Sequence, residues 1–595
     1  MPSTSSSTTR KRVGGWLEAC ERHSCGHSRK APKWHPTRLL DIGTSSSSAI
    51  KLCEAEEIEL MADYATLSHR WASQEIPKLT SEGRASMKRG VLPRPLTRTM
   101  LDAVQVAREW LNVRYLWIDS LCIIQDSQED WVTESAMMAE VYRNSYCNIA
   151  GAAASTDGLF VDRDVSMVQP YVIDVKWGTE FRAPGQYVFY HDTRWQHSIR
   201  YSPLMKRAWC IQEIFLAPRT LHFGSLQVGW ECNEAQACET VPLGLDHKPL
   251  WIEEFPSAWK DICRIRDQQV SVAPDTHIKL DRPKLYKLWD AVVTRYSLAH
   301  LSFVKDKLAA LAGIASFVED LLEDEYLVGM WRSDLARQLC WFGMNPDRCT
   351  RPSEYIAPTW SWLSLNNSHI SKPDYREYAV FVDIQDAQVL CEPNDRETSK
   401  KVRITGGFLD VACFLVPGVL TVKDVAGGRA YKVSGKGSSF PLKFRMDIDI
   451  HLHETRDVWL MPVLGGRTLT GLILERRNND KGAFRRLGMF DKFYWGTHFW
   501  ELAFESIPGA TGTIATESQR LWRPQEPWED EEPFHKTEAP LRKSRSAFED
   551  WDDVTKPSDG VWFLDISRVV HGNERGLPPP YKKYDGVSRL KIRII

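Results

Sequence analysis

Asp119 and Glu134 are the two carboxylates whose surroundings in the sequence suit them to chemistry. Asp119 closes Tyr115–Ile118, a short aromatic and β-branched run that reads as a buried strand. Its carboxylate therefore falls at the strand's carboxyl end, the edge where parallel α/β sheets bind ligands. Glu134 lies in the helix that follows. With about 3.6 residues per turn, Trp131, Glu134, Met138 and Tyr142 share one stripe, and Glu140 points to the opposite, watery side. A carboxyl group set between Trp and Met is poorly solvated, and desolvation raises its pKa unless a partner compensates. Such an acid is a catalytic candidate. The same pattern also fits a structural acid bonded to a backbone amide or an Arg, or one that reaches past the stripe to water.

The elements that would position these acids can be read on either side. Ala65–His69 is a strand candidate with polar residues at its end, and Arg70 and Trp71 lie just beyond. Leu101, Val104, Ala107, Arg108 and Leu111 then mark a helix, with Thr99 and Asp102 spaced as a capping box. Tyr115–Asp119 follows as a second strand, Gln128–Asn144 as a second helix and Cys147–Ala150 as a third strand. This β-α-β-α-β order predicts right-handed crossovers and a parallel sheet. Ser68, His69, Trp71 and Asp119 then gather on one sheet edge, with Gln125 and Asp126 in the loop above. A further block, Arg207–Phe223, reads as a helix, a stop at Pro218 and a strand. Trp209, Gln212, Glu213 and Leu216 share a face of that helix, and Arg207 is available beside the crevice to pair with a carboxylate. Packing and loop-tying compete with ligand binding for all of these residues. Cys122, near His69 across the edge, is flanked by Ile123 and Ile124 and reads as a buried, inert thiol.

Three blocks in order, YATLSHRW (64–71), LWIDSLCIIQDSQEDW (116–131) with the following MMAEVY, and RAWCIQE (207–213), resemble the signature blocks of the fungal heterokaryon-incompatibility (HET) domain. WDAVVTRYSLAHLSFVKDKLAALAGIA (289–315) and YIAPTWSW (355–362) are similar to segments that accompany the domain in large members. The family usually has Tyr where His69 stands and Gly where Ala72 stands. The resemblance implies a role in non-self recognition and regulated cell death, and a TIR-like, flavodoxin-like parallel sheet. By analogy with TIR domains that cleave NAD, it also implies a use for Glu134 in steadying an oxocarbenium-like ribosyl centre. Trp131 would then be a stacking surface, and Asp119, Ser68 and Arg207 would position ribose and phosphates.

Composition sets the bounds. The chain has 595 residues, too many for a single core. Its 43% hydrophobic and 26% charged content describes an ordinary globular protein, and a formal charge of -2 argues against a dedicated nucleic-acid binder. Thirteen dispersed cysteines with no secretory signal predict reduced thiols in the cytoplasm. Val411–Leu420 is the longest apolar stretch; it holds Pro417 and is too short to span a membrane. Cys20, His23, Cys25 and His27 are crowded together, unlike the two separated ligand pairs of structural zinc sites, so no metal site is expected.

The predicted organisation is a disordered tail over 1–35, a HET domain over 36–235, a helical region over 236–370 and a β-rich domain over 371–595 with a mobile acidic loop at 526–559. No GxGxxG, P-loop, HExxH or Gly-x-Ser-x-Gly motif occurs. Three readings of function follow. The first is signalling through a protein partner or self-association with no required cofactor, the second is consumption of NAD as substrate, and the third is a silent paralogue in which His69 and Ala72 are early damage.

Overall fold

The computed structural model describes residues 3–22, 34–244, 281–392, 403–493 and 582–595, except 45–48, 72–75, 154–157, 178–184, 190–194, 374–378, 426–427, 436–437, 440–441, 449–454, 466–467, 478–481 and 585–586. The acidic loop at 526–559 lies outside the described residues, as do His23, Cys25, His27 and Ala72.

The N-terminal half is built on one mixed sheet. Its strands are β1 (Arg38–Asp41), β2 (Lys51–Glu54), β3 (Tyr64–Ser68), β4 (Tyr115–Trp117), β5 (Cys147–Ala150), β8 (Arg219–Phe223), β9 (Val228–Cys232) and β10 (Gln236–Cys238). Between β5 and β8, β6 (Tyr171–Val175) and β7 (Gly185–Phe189) form a separate hairpin. The sheet order is β10-β9-β8-β5-β3-β4-β1-β2. Four neighbours, β8, β5, β3 and β4, run parallel, with Tyr64 opposite Tyr115 and Thr66 opposite Asn148. Antiparallel strands extend the sheet at both ends. Every residue of β3, β4, β5 and β8 is buried, as expected of parallel strands covered on both faces. In chain order the first parallel strand lies between the second and the third, so the direction of winding reverses between β3 and β5.

Helices cover both faces. Their ranges are α1 (Ser7–Glu21), α2 (Arg84–Lys88), α3 (Arg98–Gln105), α4 (Asp119–Cys122), α5 (Gln128–Arg143) and α6 (Ala208–Leu216), followed by α7 (Arg282–Ser297) and α8 (Ala309–Leu322). α5 is built by local rules. Ser127 accepts the Asp130 amide at 3.2 Å as N-cap, Glu129 and Asp130 occupy the first turn, and Arg143 the last. α5, α6 and α8 pack against one another, while α1 rests on β9 and on the π-turn Val106–Trp110 that continues α3.

Two expectations are corrected. Ser7–Glu21 is an ordered helix, although its Ser- and Arg-rich start reads as a disordered tail. Ser6 caps it by accepting from Thr9, and Val13, Trp16, Leu17 and Cys20 bury one face. The start of α3 also differs. Thr97, not Thr99, is its N-cap, accepting from the Met100 amide at 3.3 Å. Asp102 is free of capping duty, lies buried and accepts the Leu159 amide at 2.8 Å.

The C-terminal part is β-rich, as expected. Its longer strands are β11 (Asp383–Cys391), β12 (Ile404–Cys413), β13 (Val416–Val425), β14 (Gly428–Gly435), β15 (Thr455–Gly465), β16 (Thr468–Arg476), β17 (Ala483–Phe493) and β18 (Val587–Ile594). They are ordered β11-β12-β18-β17-β16-β15-β13-β14. One hydrophobic core runs from Val13 in α1 to Ile594 in β18. Trp360 and Trp362 lie fully buried within it, so the aromatic loop fills a joint. No helix among the described residues is long and apolar enough to cross a membrane.

Candidate functional site

Where the winding reverses, β3 and β5 carry a cluster of buried polar groups that runs from the middle of β3 to its carboxyl end. Thr66 and Ser68 are on β3 and Asn148 is on the neighbouring strand. Both hydroxyls donate to the Asn148 side-chain oxygen, at 3.0 and 3.1 Å. The Asn148 amide nitrogen is buried with no hydrogen-bond partner. Tyr142 of α5 and Glu213 of α6 close over Ser68, and both hydroxyls turn toward the Glu213 carboxylate. Burial pushes the Glu213 carboxyl above its usual range, against the pull of Arg207 and of those two hydroxyls.

His69 follows Ser68 and is 5% exposed. Neither ring nitrogen makes a hydrogen bond of normal geometry, although the Leu67 carbonyl lies close by. Burial lowers its pKa; Asp119 opposes that and Arg207 reinforces it, so the imidazole is neutral near pH 7. Arg207, the N-cap residue of α6, donates to the His69 main-chain carbonyl. Asp119 opens α4 and is well satisfied. It accepts from the Trp71 indole at 3.0 Å and from the Ser120 amide at 2.7 Å. Trp71 is 37% exposed, with the Lys78 ammonium 5.5 Å from its ring centre.

Glu134 belongs to a second group. It is 2% exposed and pairs with Arg38 of β1 at 3.1 Å; the same guanidinium holds Asp130 at 2.7 Å and, through Nε, the Cys122 carbonyl at 2.7 Å. Burial raises the Glu134 carboxyl, while the Thr37 hydroxyl and Arg38 pull it down. The two groups are joined through α4, which Asp119 opens and Cys122 closes, and through α5, which carries Glu134 and Tyr142. Cys122 is buried and its thiol is pushed up to about 12, as an inert sulfur should be.

The remaining sequence candidates take positional roles. Gln125 donates to the Asp119 and Ile123 carbonyls at 3.2 and 3.0 Å, and Asp126 accepts from the Ser81 amide at 2.9 Å. Gln212 reaches across to α8 and accepts the Gly313 amide at 2.9 Å. Trp209 offers its indole to Asp306. Trp131 is partly buried on α5. The structure thus brings Ser68, His69, Trp71, Asp119, Arg207 and Glu213 to one edge and sets Glu134 in a neighbouring ion-pair group. Sequence reasoning missed Arg38 and Asn148. Asn148 had a signal, being the one amide inside the otherwise apolar strand Cys147–Ala150; Arg38, in a short run before the first block, had none. Among the described residues no group of three or more His, Cys, Asp or Glu is placed to hold a metal ion, and Cys20 instead accepts from Arg219 at 3.2 Å.

No curated protein and no solved structure matches the chain. Residues 64–213 match the family model described as heterokaryon incompatibility protein (HET), and that span begins with β3 and ends at Glu213, enclosing nearly all of the polar edge. Residues 64–213 are thus a heterokaryon-incompatibility (HET) domain, set within a longer chain.

Proposed function

We propose that this protein acts in non-self recognition leading to regulated cell death, in the cytoplasm, through a TIR-like HET domain that works mainly by binding a protein partner or a second copy of itself. The β6–β7 hairpin carries this reading. Tyr171, Val172 and Ile173 are 65%, 60% and 48% exposed along one strand, and Trp177 just beyond is 69% exposed. Successive strand residues point to opposite faces, so the hairpin shows apolar side chains on both, a pattern typical of contact surfaces. The strand order, with reversal between β3 and β5, is that of doubly wound sheets and supports the TIR-like assignment. Expressed in a fungal host, the wild type is expected to arrest growth, and Val172→Asp/Ile173→Asp to abolish the arrest while leaving the fold unchanged by circular dichroism. Arrest that persists in the double variant removes the hairpin from the mechanism.

A second reading is NAD consumption with Glu134 as the catalytic acid. It is favoured by the buried, upward-shifted Glu134 carboxyl on the same helix as Trp131, near an edge with unsatisfied nitrogens on His69 and Asn148. Purified protein incubated with NAD would release nicotinamide, and Glu134→Gln would slow release by roughly 100-fold or more. Growth arrest that survives Glu134→Gln but not the hairpin variant supports the first reading over the second.

A further inference from the structure

Beyond the HET domain, a cavity of about 160 Å³ opens where the end of α7, the turn Val304–Lys307 and the loop after Trp362 meet. Lys307 lines it and is 8% exposed. Its ammonium donates to the Leu365 carbonyl, and Tyr296 donates its hydroxyl to the Lys307 carbonyl at 2.6 Å. Among the described residues no carboxylate pairs with Lys307, and no Asp or Glu lines the cavity. Ser297, His300, Asn366 and Asn367 contribute neutral hydrogen-bonding groups, and Trp362 and Leu301 contribute apolar wall. Asn367, at the exposed mouth, holds a left-handed backbone at φ 53°, a strained conformation of the kind that gathers at binding sites.

Burying an ammonium with one carbonyl for company is costly unless an anion completes it. A dry cavity of about 150 Å³ is known to admit a benzene ring, so this one has room for a ring-sized body. We propose that the Lys307 cavity binds a small organic anion, a carboxylate or phosphate monoester on a ring-sized apolar group, with the anionic oxygens on Lys307 and the ring against Trp362. The site lies at the seam with the HET domain. His300, on its wall, donates its amide to the Lys206 carbonyl at 2.6 Å and accepts the Ala208 amide at 3.1 Å, at the root of α6.

The pKa of Lys307 supports this assignment: burial lowers it to about 7, so an anion would find the ammonium below that pH and the neutral amine above it. The titratable groups around it are the Cys349 thiol, pushed up to about 11 and so uncharged, and, in the lining, His300 and Tyr296, whose hydroxyl burial pushes up; Asp306 precedes Lys307 in the chain but is not in the lining.

The test uses the full-length protein and calorimetric titration with benzoate, phenyl phosphate and inorganic phosphate at pH 6.5 and pH 9. Benzoate or phenyl phosphate should bind the wild type, whichever is tighter identifying the anionic group, and at least tenfold more weakly at pH 9. Lys307→Met should weaken binding by tenfold or more. Ala299→Phe, which fills the cavity while keeping Lys307 and its carbonyl, should do the same and guards against a folding defect in the first variant. Absence of binding by both organic anions, equal affinity in all three proteins, or inorganic phosphate binding as tightly as phenyl phosphate overturns the proposal.

Discussion

At the scale of single residues, Arg38 carries more of the HET domain than its place in the sequence suggests. It is 3% exposed and neutralises two carboxylates while holding the Cys122 carbonyl. Removing one partner of a buried ionic group leaves the others uncompensated, at about 3–5 kcal/mol. Arg38→Met is therefore expected to lower the unfolding midpoint sharply, whereas Arg38→Met with Glu134→Gln and Asp130→Asn should recover much of the loss; chemical denaturation measures both. His69 gives a pH signature. Its folded pKa lies below the ordinary value of 6.5, so the unfolded chain binds the proton first and stability falls as pH drops below about 6.5. Glu134 and Glu213, with raised carboxyls, act in the opposite sense: their contribution falls as pH rises above 4.5. Comparing wild type with His69→Asn isolates the imidazole, and the variant should lose less stability between pH 7 and pH 5. Equal slopes would falsify the assignment of a buried neutral ring.

At the scale of elements, the packing of α5, α6 and α8 depends on Gly313. A Cβ there would stand 2.5 Å from the Ala139 Cβ and 2.6 Å from the Gln212 side-chain oxygen that accepts the Gly313 amide. Gly313→Ala is expected to cost about 1–3 kcal/mol through overpacking and to raise hydrogen exchange in α8 and α6 ahead of the sheet. Much of this layer was legible in the sequence. The run Cys147–Ala150 is a strand with the boundaries its composition predicts, and Glu134, Met138 and Tyr142 are all buried as the helical stripe requires. Blocks of strong periodicity are set by local rules and by which face meets the core. Less legible were contacts made at long range. Whether Glu134 is paired depends on Arg38, ninety-six positions earlier, and no local pattern announces that partner. The helix α1 escaped for a similar reason. Its polar start looks unstructured until Trp16 and Val13 find the sheet, with the Trp16 indole donating to the Pro242 carbonyl at 2.9 Å. The Lys307 cavity likewise forms from three separated segments.

For the whole molecule, the joint between the helical region and the C-terminal sheet is organised by Arg486. It is fully buried on β17, lies 3.4 Å from the centre of the Trp341 ring, pairs with Asp447 at 3.0 Å and donates to the Leu339 and Trp341 carbonyls. Arg486→Leu would leave Asp447 with Arg351 alone, at 3.3 Å, and is expected to cost about 3–5 kcal/mol. Limited proteolysis should then cut within β11–β18 before it cuts the HET domain; simultaneous loss of both would show that they unfold as one unit. The sheet has one more property. β18 sits between β12 and β17, yet about ninety residues separate it in the chain from β17. At the ordinary pace of translation, roughly 5–20 residues per second, a nascent chain waits on the order of 5–20 s with Leu409–Cys413 of β12 and the start of β17, Ala483 and Phe484, lacking their β18 partner. Throughout that delay the ribosome-bound intermediate would need a chaperone or a temporary partner, although the HET domain behind it has already left the tunnel.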